Sequence, residues 1–302
     1  MNSALLIGVA TSSVASGTSL LYATIGEIVG ERAGVVNLGL EGIMLIGAAT
    51  GFAATAMTGD AYLGVAAAAS AGFAVNLVFA YLVVGRRANQ LATGLALMFF
   101  GLGLSALIGR PFVGTLIAGL PKLHPFGRGS MGNPMLSYDV LVYLAVPTAV
   151  LVWWLLFRTR WGLNLRAVGE SPVAAVAAGV QPGRIQYQAL GLAGLLGGIA
   201  GAHLSLAVTL TWAEGMTAGR GFIAIALVIF AKWNPLWAIA GALLFGGAES
   251  LQLQLQAAGA DVSPFVMNMV PYLLTLAVLI AWGWRRQPAA PAALGRNFVG
   301  VE

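Results

Sequence analysis

Asn37 and Glu41 stand one helical turn apart in an otherwise apolar run, so an amide and a carboxylate share one helix face. Together they could donate and accept hydrogen bonds to a small polar solute. A carboxylate inside a bilayer costs at least about 2.5–3.5 kcal/mol, so it has either a partner or a purpose. Two readings stay open: the pair lines a solute pathway, or Glu41 is held by Arg32 or by a helix terminus. Gly34, Gly39 and Gly42 around them permit a break or a close backbone approach. Glu249, Gln252 and Gln256 recur at i, i+3 and i+7, one polar stripe that lipid would not tolerate. It is a pathway wall or a subunit seam. Glu214 and Arg220 flank the start of a short apolar stretch, 219–232. If that stretch is a half-helix, the positive end of its dipole faces whatever binds there. His203 lies alone among apolar residues, where a hydrogen-bonded structural role fits better than a proton relay.

Other chemistry is excluded by what the chain lacks. There is no cysteine, so thiolate nucleophiles, disulfides and thiolate metal sites are ruled out, and two histidines in all cannot build a histidine cage. No Gly-x-x-x-x-Gly-Lys-[Ser/Thr] loop is present, so this chain does not hydrolyse ATP, and no Ser/His/Asp constellation is visible. The glycine-rich run from Gly191 to Gly201 resembles a phosphate loop only by chance. It sits inside an apolar segment, where it reads as a close-packing helix face. The net charge of +5 does not indicate nucleic acid, because the basic residues fall between apolar runs and form no dense track.

The elements that position these residues are membrane helices. Hydrophobic residues make up 59% of the 302 and charged residues only 8%, against about a quarter charged in soluble domains. Lipid is the solvent for such a chain. Spans of about 20 apolar residues are expected at 4–26, 36–58, 61–84, 90–109, 137–157, 186–210, 235–256 and 264–284. The stretch 219–232 is too short for a comfortable crossing and reads as a tilted or half-helix. Counting it as a crossing puts eleven of the 15 basic residues on one side, among them Arg32, Arg86, Arg87, Arg158, Arg166 and Arg285. The positive-inside rule makes that side cytoplasmic, with the N-terminus outside and the C-terminus inside. The expected fold is therefore an all-α polytopic membrane protein of about 8–10 transmembrane helices. Residues 1–287 form the transmembrane domain, and 288–302, opening on Pro288-Ala289-Ala290-Pro291, are a flexible tail. The 110–136 loop, with four prolines, is expected to be irregular.

The loop 158–185 carries the clearest local signal. Ser171 suits an N-cap, Pro172 the first helical position and Gly179 the position past the last turn. Between them Val and Ala, including Ala174, Ala175 and Ala178, make a short helix almost without protruding side chains. Such a surface fits a cleft in another protein, with Arg166 and Glu170 available to fix its rotation. A connector lying on the membrane is the plainer alternative.

The run Arg166-Ala167-Val168-Gly169-Glu170-Ser171-Pro172 through Gly179-Val180 resembles a segment of ABC-importer permeases of the branched-chain amino acid, ribose and nucleoside superfamily. Glu31-Arg32-Ala33-Gly34-Val35-Val36-Asn37 through Glu41-Gly42-Ile43-Met44 is similar to a signature of the nucleoside branch. Gly215-Met216-Thr217-Ala218-Gly219-Arg220-Gly221-Phe222 through Asn234-Pro235 resembles that branch's C-terminal half. Ser171 departs from the commoner Asn, and both cap helices. The resemblance implies a permease bundle with a cytoplasmic coupling helix, whose docking residues would be Arg166, Gly169, Glu170, Ser171, Pro172, Ala174, Ala175, Ala178 and Gly179. It implies a pathway near Asn37, Glu41, Glu214, Arg220, Phe222, Glu249 and Gln252, with no metal and no cofactor on this chain. ATP and Mg²⁺ would belong to a separate ABC ATPase subunit. The other partners implied are a second, larger permease, an external substrate-binding lipoprotein and the lipids of a bacterial inner membrane. Nucleosides are the expected solute, with a simple-sugar permease as the alternative. A self-sufficient secondary transporter or channel would leave the capped 172–178 helix unexplained.

Overall fold

Ten α-helices follow one another along the described part of the chain, a computed structural model covering residues 3–123, 137–257 and 290–296, with isolated helical positions at 269, 270, 273, 276, 277 and 280. They are α1 (Ser3–Arg32), α2 (Leu40–Thr58), α3 (Ala61–Ala80), α4 (Gln90–Gly109), α5 (Val140–Arg158), α6 (Arg160–Glu170), α7 (Pro172–Ala177), α8 (Pro182–His203), α9 (Arg220–Phe230) and α10 (Pro235–Ala257). Single π-turns prolong α3 to Gly85 and α8 to Thr209. A two-residue antiparallel pair, β1 (Lys122–Leu123) with β2 (Tyr138–Asp139), closes the loop before α5. Six of these helical stretches are long and apolar enough to cross a membrane, and α1 with 30 residues is longer still. The chain is a multi-pass helical membrane protein. The span expected at 264–284 lies mostly outside the described residues.

Small residues set how the helices stack. α2 and α8 are the most enclosed of the long apolar helices and meet backbone to backbone, since a Cβ on Gly47 would lie 2.8 Å from the Cα of Gly198. A Cβ on Gly198 would in turn run into the carbonyl of Ala68 on α3. Without a water-driven hydrophobic force between helices in lipid, such close van der Waals approach supplies the association. The outer helices instead turn large apolar side chains outward, as with Leu63, Phe99, Leu107, Leu151 and Trp154.

Two boundaries differ from expectation for one reason. α1 continues to Arg32 rather than ending near residue 26, because its terminal charges have partners. Asn37 N–H donates to Glu27 at 3.0 Å, Trp233 Nε1 donates to Glu31 at 2.6 Å, and Arg32 Nε donates to the Trp233 carbonyl at 3.0 Å. The chain then turns at Gly34, whose φ of +86° favours glycine, and α2 starts at Leu40 rather than 36. Arg32, Lys232, α6, α7 and the start of α8 all gather at this end of the bundle, which is called the basic end below.

Part of the expected tail is not free. Residues 290–296 return to the basic end, where Ala293 N–H donates to the Gly169 carbonyl at 2.9 Å and Gly295 N–H to the Gly34 carbonyl at 3.3 Å. Backbone hydrogen bonds fix this stretch, and alanine-rich composition gave no sign of them.

Candidate functional site

The helix α9 has 11 residues, about 16 Å at 1.5 Å per residue, roughly half a hydrocarbon core. Its start lies beside the middle of α1: Arg220 Nη1 donates to Ser19 Oγ at 3.4 Å, and Thr24 Oγ1 donates to the Ala224 carbonyl at 3.4 Å. Its end reaches Glu31 and Arg32 at the basic end through Lys232 and Trp233. The segment 210–219 comes in from the opposite end, where Trp212 packs over Gly109 at the close of α4. Irregular backbone and the half-helix thus follow one another between the two ends of the bundle. Such backbone is tolerated within a membrane because protein surrounds it.

Glu41 holds the joint between the two. Oε1 accepts from Thr217 Oγ1 at 2.6 Å and Gly219 N–H at 2.7 Å, and Oε2 accepts from Gly221 N–H at 2.6 Å. A helix N-terminus carries unpaired N–H groups and a partial positive charge, and here an anion from another helix satisfies both. Gly221 permits it, since a Cβ there would lie 2.5 Å from the Glu41 nitrogen. Of the two readings of Glu41, the contact with a helix terminus is the one present; Arg32 is not its partner among the described residues.

Asn37 is buried in the same layer. Its Nδ2 donates to Asn76 Oδ1 at 2.9 Å and its Oδ1 accepts from Gly39 N–H at 2.8 Å. Asn76 Nδ2 in turn donates to the Leu190 carbonyl at 2.5 Å. The turn 33–39 is thereby tied to α1, α3 and α8. Asn76, Thr217, Glu27, Glu31 and Trp233 were given no site role from the sequence, although Glu31 and Thr217 lie within the quoted motifs. The two glutamates were legible as carboxylates in an apolar run, but the others are ordinary residues whose partners lie far away in sequence.

Arg220 and Glu249 form an ion pair between α9 and α10. This gives Glu249 a partner, and Gln252, one turn further, is half-buried. Phe222 on α9 is 37% exposed. Glu214 stands apart from these residues, exposed on the opposite end, where it lines a cavity of about 750 Å³ with Arg110, Val113 and Trp212. His203 is fully buried with Nε2 3.5 Å from Asp139, a long contact that ties α8 to the residue capping α5, and neither ring nitrogen has a closer partner among the described residues. Burial opposes ionisation of Asp139, but His203 and the N–H groups of Val142 and Leu141 outweigh it and hold the carboxyl below its usual range.

At the basic end the loop after α5 is built as its residues dictate. Thr159 caps α6 by accepting from Gly162 N–H at 3.1 Å, and Ser171 caps α7 by accepting from Ala174 N–H at 3.2 Å. Pro172 opens α7, and Gly179 at φ +79° ends it. Ala175 points inward, while Val173, Ala174, Val176 and Ala178 are exposed. Arg166 lies 5.1 Å from the Phe157 ring centre, and Glu170 accepts from Ala292 N–H at 3.3 Å. Gly169 packs directly on the carbonyl of Arg32.

These features define a polytopic membrane bundle organised round a half-helix, with a bare, capped helix exposed at its basic end. The family described as branched-chain amino acid transport system, permease component, matches residues 9–281. The chain is 39% identical to the "Putative glucose ABC transporter permease protein TsgC13" of Haloferax volcanii, covering 96% of this chain and 97% of that one. It is 32% identical to the guanosine ABC transporter permease protein NupQ of Bacillus subtilis, over 93% and 92% of the two chains. Identity is 31% with the nucleoside ABC transporter permease protein NupC of Lactococcus lactis, over 93% of each. No solved structure matches the chain.

The chain belongs to this permease family. It is the membrane subunit of an ABC importer and not itself an enzyme, and the family implies an ATPase and a substrate-binding protein in the same system. The alternative of a self-sufficient secondary transporter or channel falls with that membership.

Proposed function

We propose that this subunit forms half of the translocation pathway for nucleosides, beside a second, larger permease. An ATPase subunit that binds ATP and Mg²⁺ drives it, and an external lipoprotein supplies the solute. The basic end lies in the cytoplasm and α7 is the coupling helix. The single observation that carries this reading is the exposed face of α7, whose Val and Ala side chains leave a smooth ridge with no lipid-anchoring aromatic. The charge pattern of the sequence, with eleven of the 15 basic residues in one set of connections, supports the orientation, with the N-terminus outside and the C-terminus inside.

The pathway wall includes Arg220, Phe222, Glu249 and Gln252, with Glu214 at the outer approach and Asn37 and Glu41 behind as its frame. Arg220 and Glu249 neutralise one another, so the wall presents no net charge. A neutral solute rich in hydroxyl and amide groups suits it better than an ion, and Phe222 offers a face for a flat base to stack on. A simple sugar is the second reading, favoured by the 39% relative named for glucose.

Reconstitution with the ATPase and binding protein tests both. ATP-dependent accumulation of a labelled nucleoside, undiminished by excess glucose, is the expected result. Uptake of glucose with no nucleoside accumulation would replace the first reading by the second.

A further inference from the structure

We propose that residues 291–296 are a splint that locks the loop bearing α7 to the 33–39 turn, making both move as one body. This inference rests on α7 being the coupling helix.

The contact it spans is weak by itself. Gly169 sits against the Arg32 carbonyl and 3.5 Å from where a Gly34 Cβ would stand, so two backbones touch with no side chain between them. Leu165 and Val168 of α6 are buried nearby, but at the contact itself each side leaves a carbonyl without a partner in its own helix or turn among the described residues. Gly169 is in the last turn of α6, where carbonyls lack intrahelical donors. Ala293 N–H fills that place at 2.9 Å, and Gly295 N–H, two residues on, takes the Gly34 carbonyl at 3.3 Å. Two more bonds widen the grip: Ala292 N–H to Glu170 Oε2 at 3.3 Å, and Gln90 Nε2 to the Arg296 carbonyl at 3.2 Å. The segment is internally braced, with Leu294 N–H to the Pro291 carbonyl at 2.9 Å and Arg296 N–H to the Ala293 carbonyl at 3.0 Å. Leu294 packs against the core.

From Gly34 the chain leads in seven residues to Glu41, through Asn37, which is bonded to α1 and α3. A push on α7 therefore reaches the carboxylate that holds the start of α9. The splint makes that path stiff. Without it α7 would slide on the Gly34–Gly169 contact, and ATP would be hydrolysed without moving α9.

The test uses the assembled importer in proteoliposomes, comparing wild type, Ala293→Pro, a chain ending at Ala289, and Ala293→Ser, which keeps the N–H. The first two changes are expected to retain the ATPase subunit while solute moved per ATP falls about fivefold or more, with Ala293→Ser unaffected. An unchanged ratio in both overturns the splint, as does loss of the ATPase from these variants alone, which would make the segment part of the docking surface. Failure of the wild type to hold an ATPase would instead sink the coupling reading. Hydrogen exchange of the wild-type complex answers the case of variants that do not fold. Peptides spanning 33–39 and 165–170 are expected to change protection together when the ATPase is trapped with vanadate, and independent change overturns the proposal.

Discussion

The carboxylate of Glu41 accepts the backbone N–H of Gly219 at 2.7 Å, joining the first turn of α2 to the start of a helix 178 residues later. With Thr217 and Gly221 it satisfies three donors that no other described group reaches. The half-helix thus has its N-terminus fixed by another element rather than by its own sequence. Whatever moves α2 moves α9.

Replacing Glu41 by Ala leaves those donors unpaired in a membrane interior, at about 1–3 kcal/mol each. Transport is expected to be lost. Glu41→Gln keeps one acceptor oxygen but turns an NH₂ group toward a donor, so it is expected to fall between Ala and wild type. Thermal stability in detergent, read beside uptake, checks the order: equal stability of all three would show that Glu41 does not frame α9.

Arg220 and Glu249 yield a second prediction. Each is largely buried, with side chains 12% and 24% exposed, so Glu249→Ala strands a guanidinium and costs about 1–3 kcal/mol. The exchange Arg220→Glu with Glu249→Arg is expected to recover most of that. The positive end of α9 is already occupied by the Glu41 carboxylate, so the exchange gains nothing further from the helix dipole. Thermal midpoints of the single and double variants check this; additive losses in the double variant would mean that the two charges act separately.

The short helix in the 158–185 loop was legible because its signals are local: a Ser cap, a Pro and a Gly around a run of Val and Ala, and α7 begins at Pro172 as they direct. Six of the expected membrane spans were legible for a similar reason, since length and apolarity act within a segment. The roles of Glu41 and Glu249 were not, because a carboxylate's partner depends on which helices meet. Position 41 looked equally suited to a solute, an arginine or a helix end. The docked stretch 290–296 was hidden altogether, because main-chain N–H groups hold it and every non-proline residue has one.

Gly198 gives a third test, on the bundle itself. A side chain there would run into the Ala68 carbonyl on α3, which cannot move aside without shifting the helix. Gly198→Ala is expected to cost about 1–3 kcal/mol by overpacking, and Gly198→Leu to prevent a stable bundle. Gly103, whose Cβ would meet nothing within 4 Å, is the control and should accept Ala without effect. Recovery of monodisperse protein from membranes distinguishes them, and equal recovery of all three would refute close α3–α8 packing as the organising contact.

The exposed ridge of α7 leads to the last prediction, because there the cost to folding and the cost to function separate by magnitude. Ala174 is exposed at the side-chain-poor surface, so among the described residues an indole there has room to point outward. Its local penalty is the difference in helix propensity, at most about 0.7 kcal/mol. Within a cleft of a partner the same indole has no room, and overpacking there costs about 1–3 kcal/mol or more. Ala174→Trp should therefore insert, fold and keep its thermal midpoint while ATPase copurification and uptake collapse. Glu170→Lys should do likewise, with an added loosening of the Ala292 contact. If the tryptophan variant imports solute at the wild-type rate, α7 does not enter a cleft, and the ATPase must engage the basic end through some other surface.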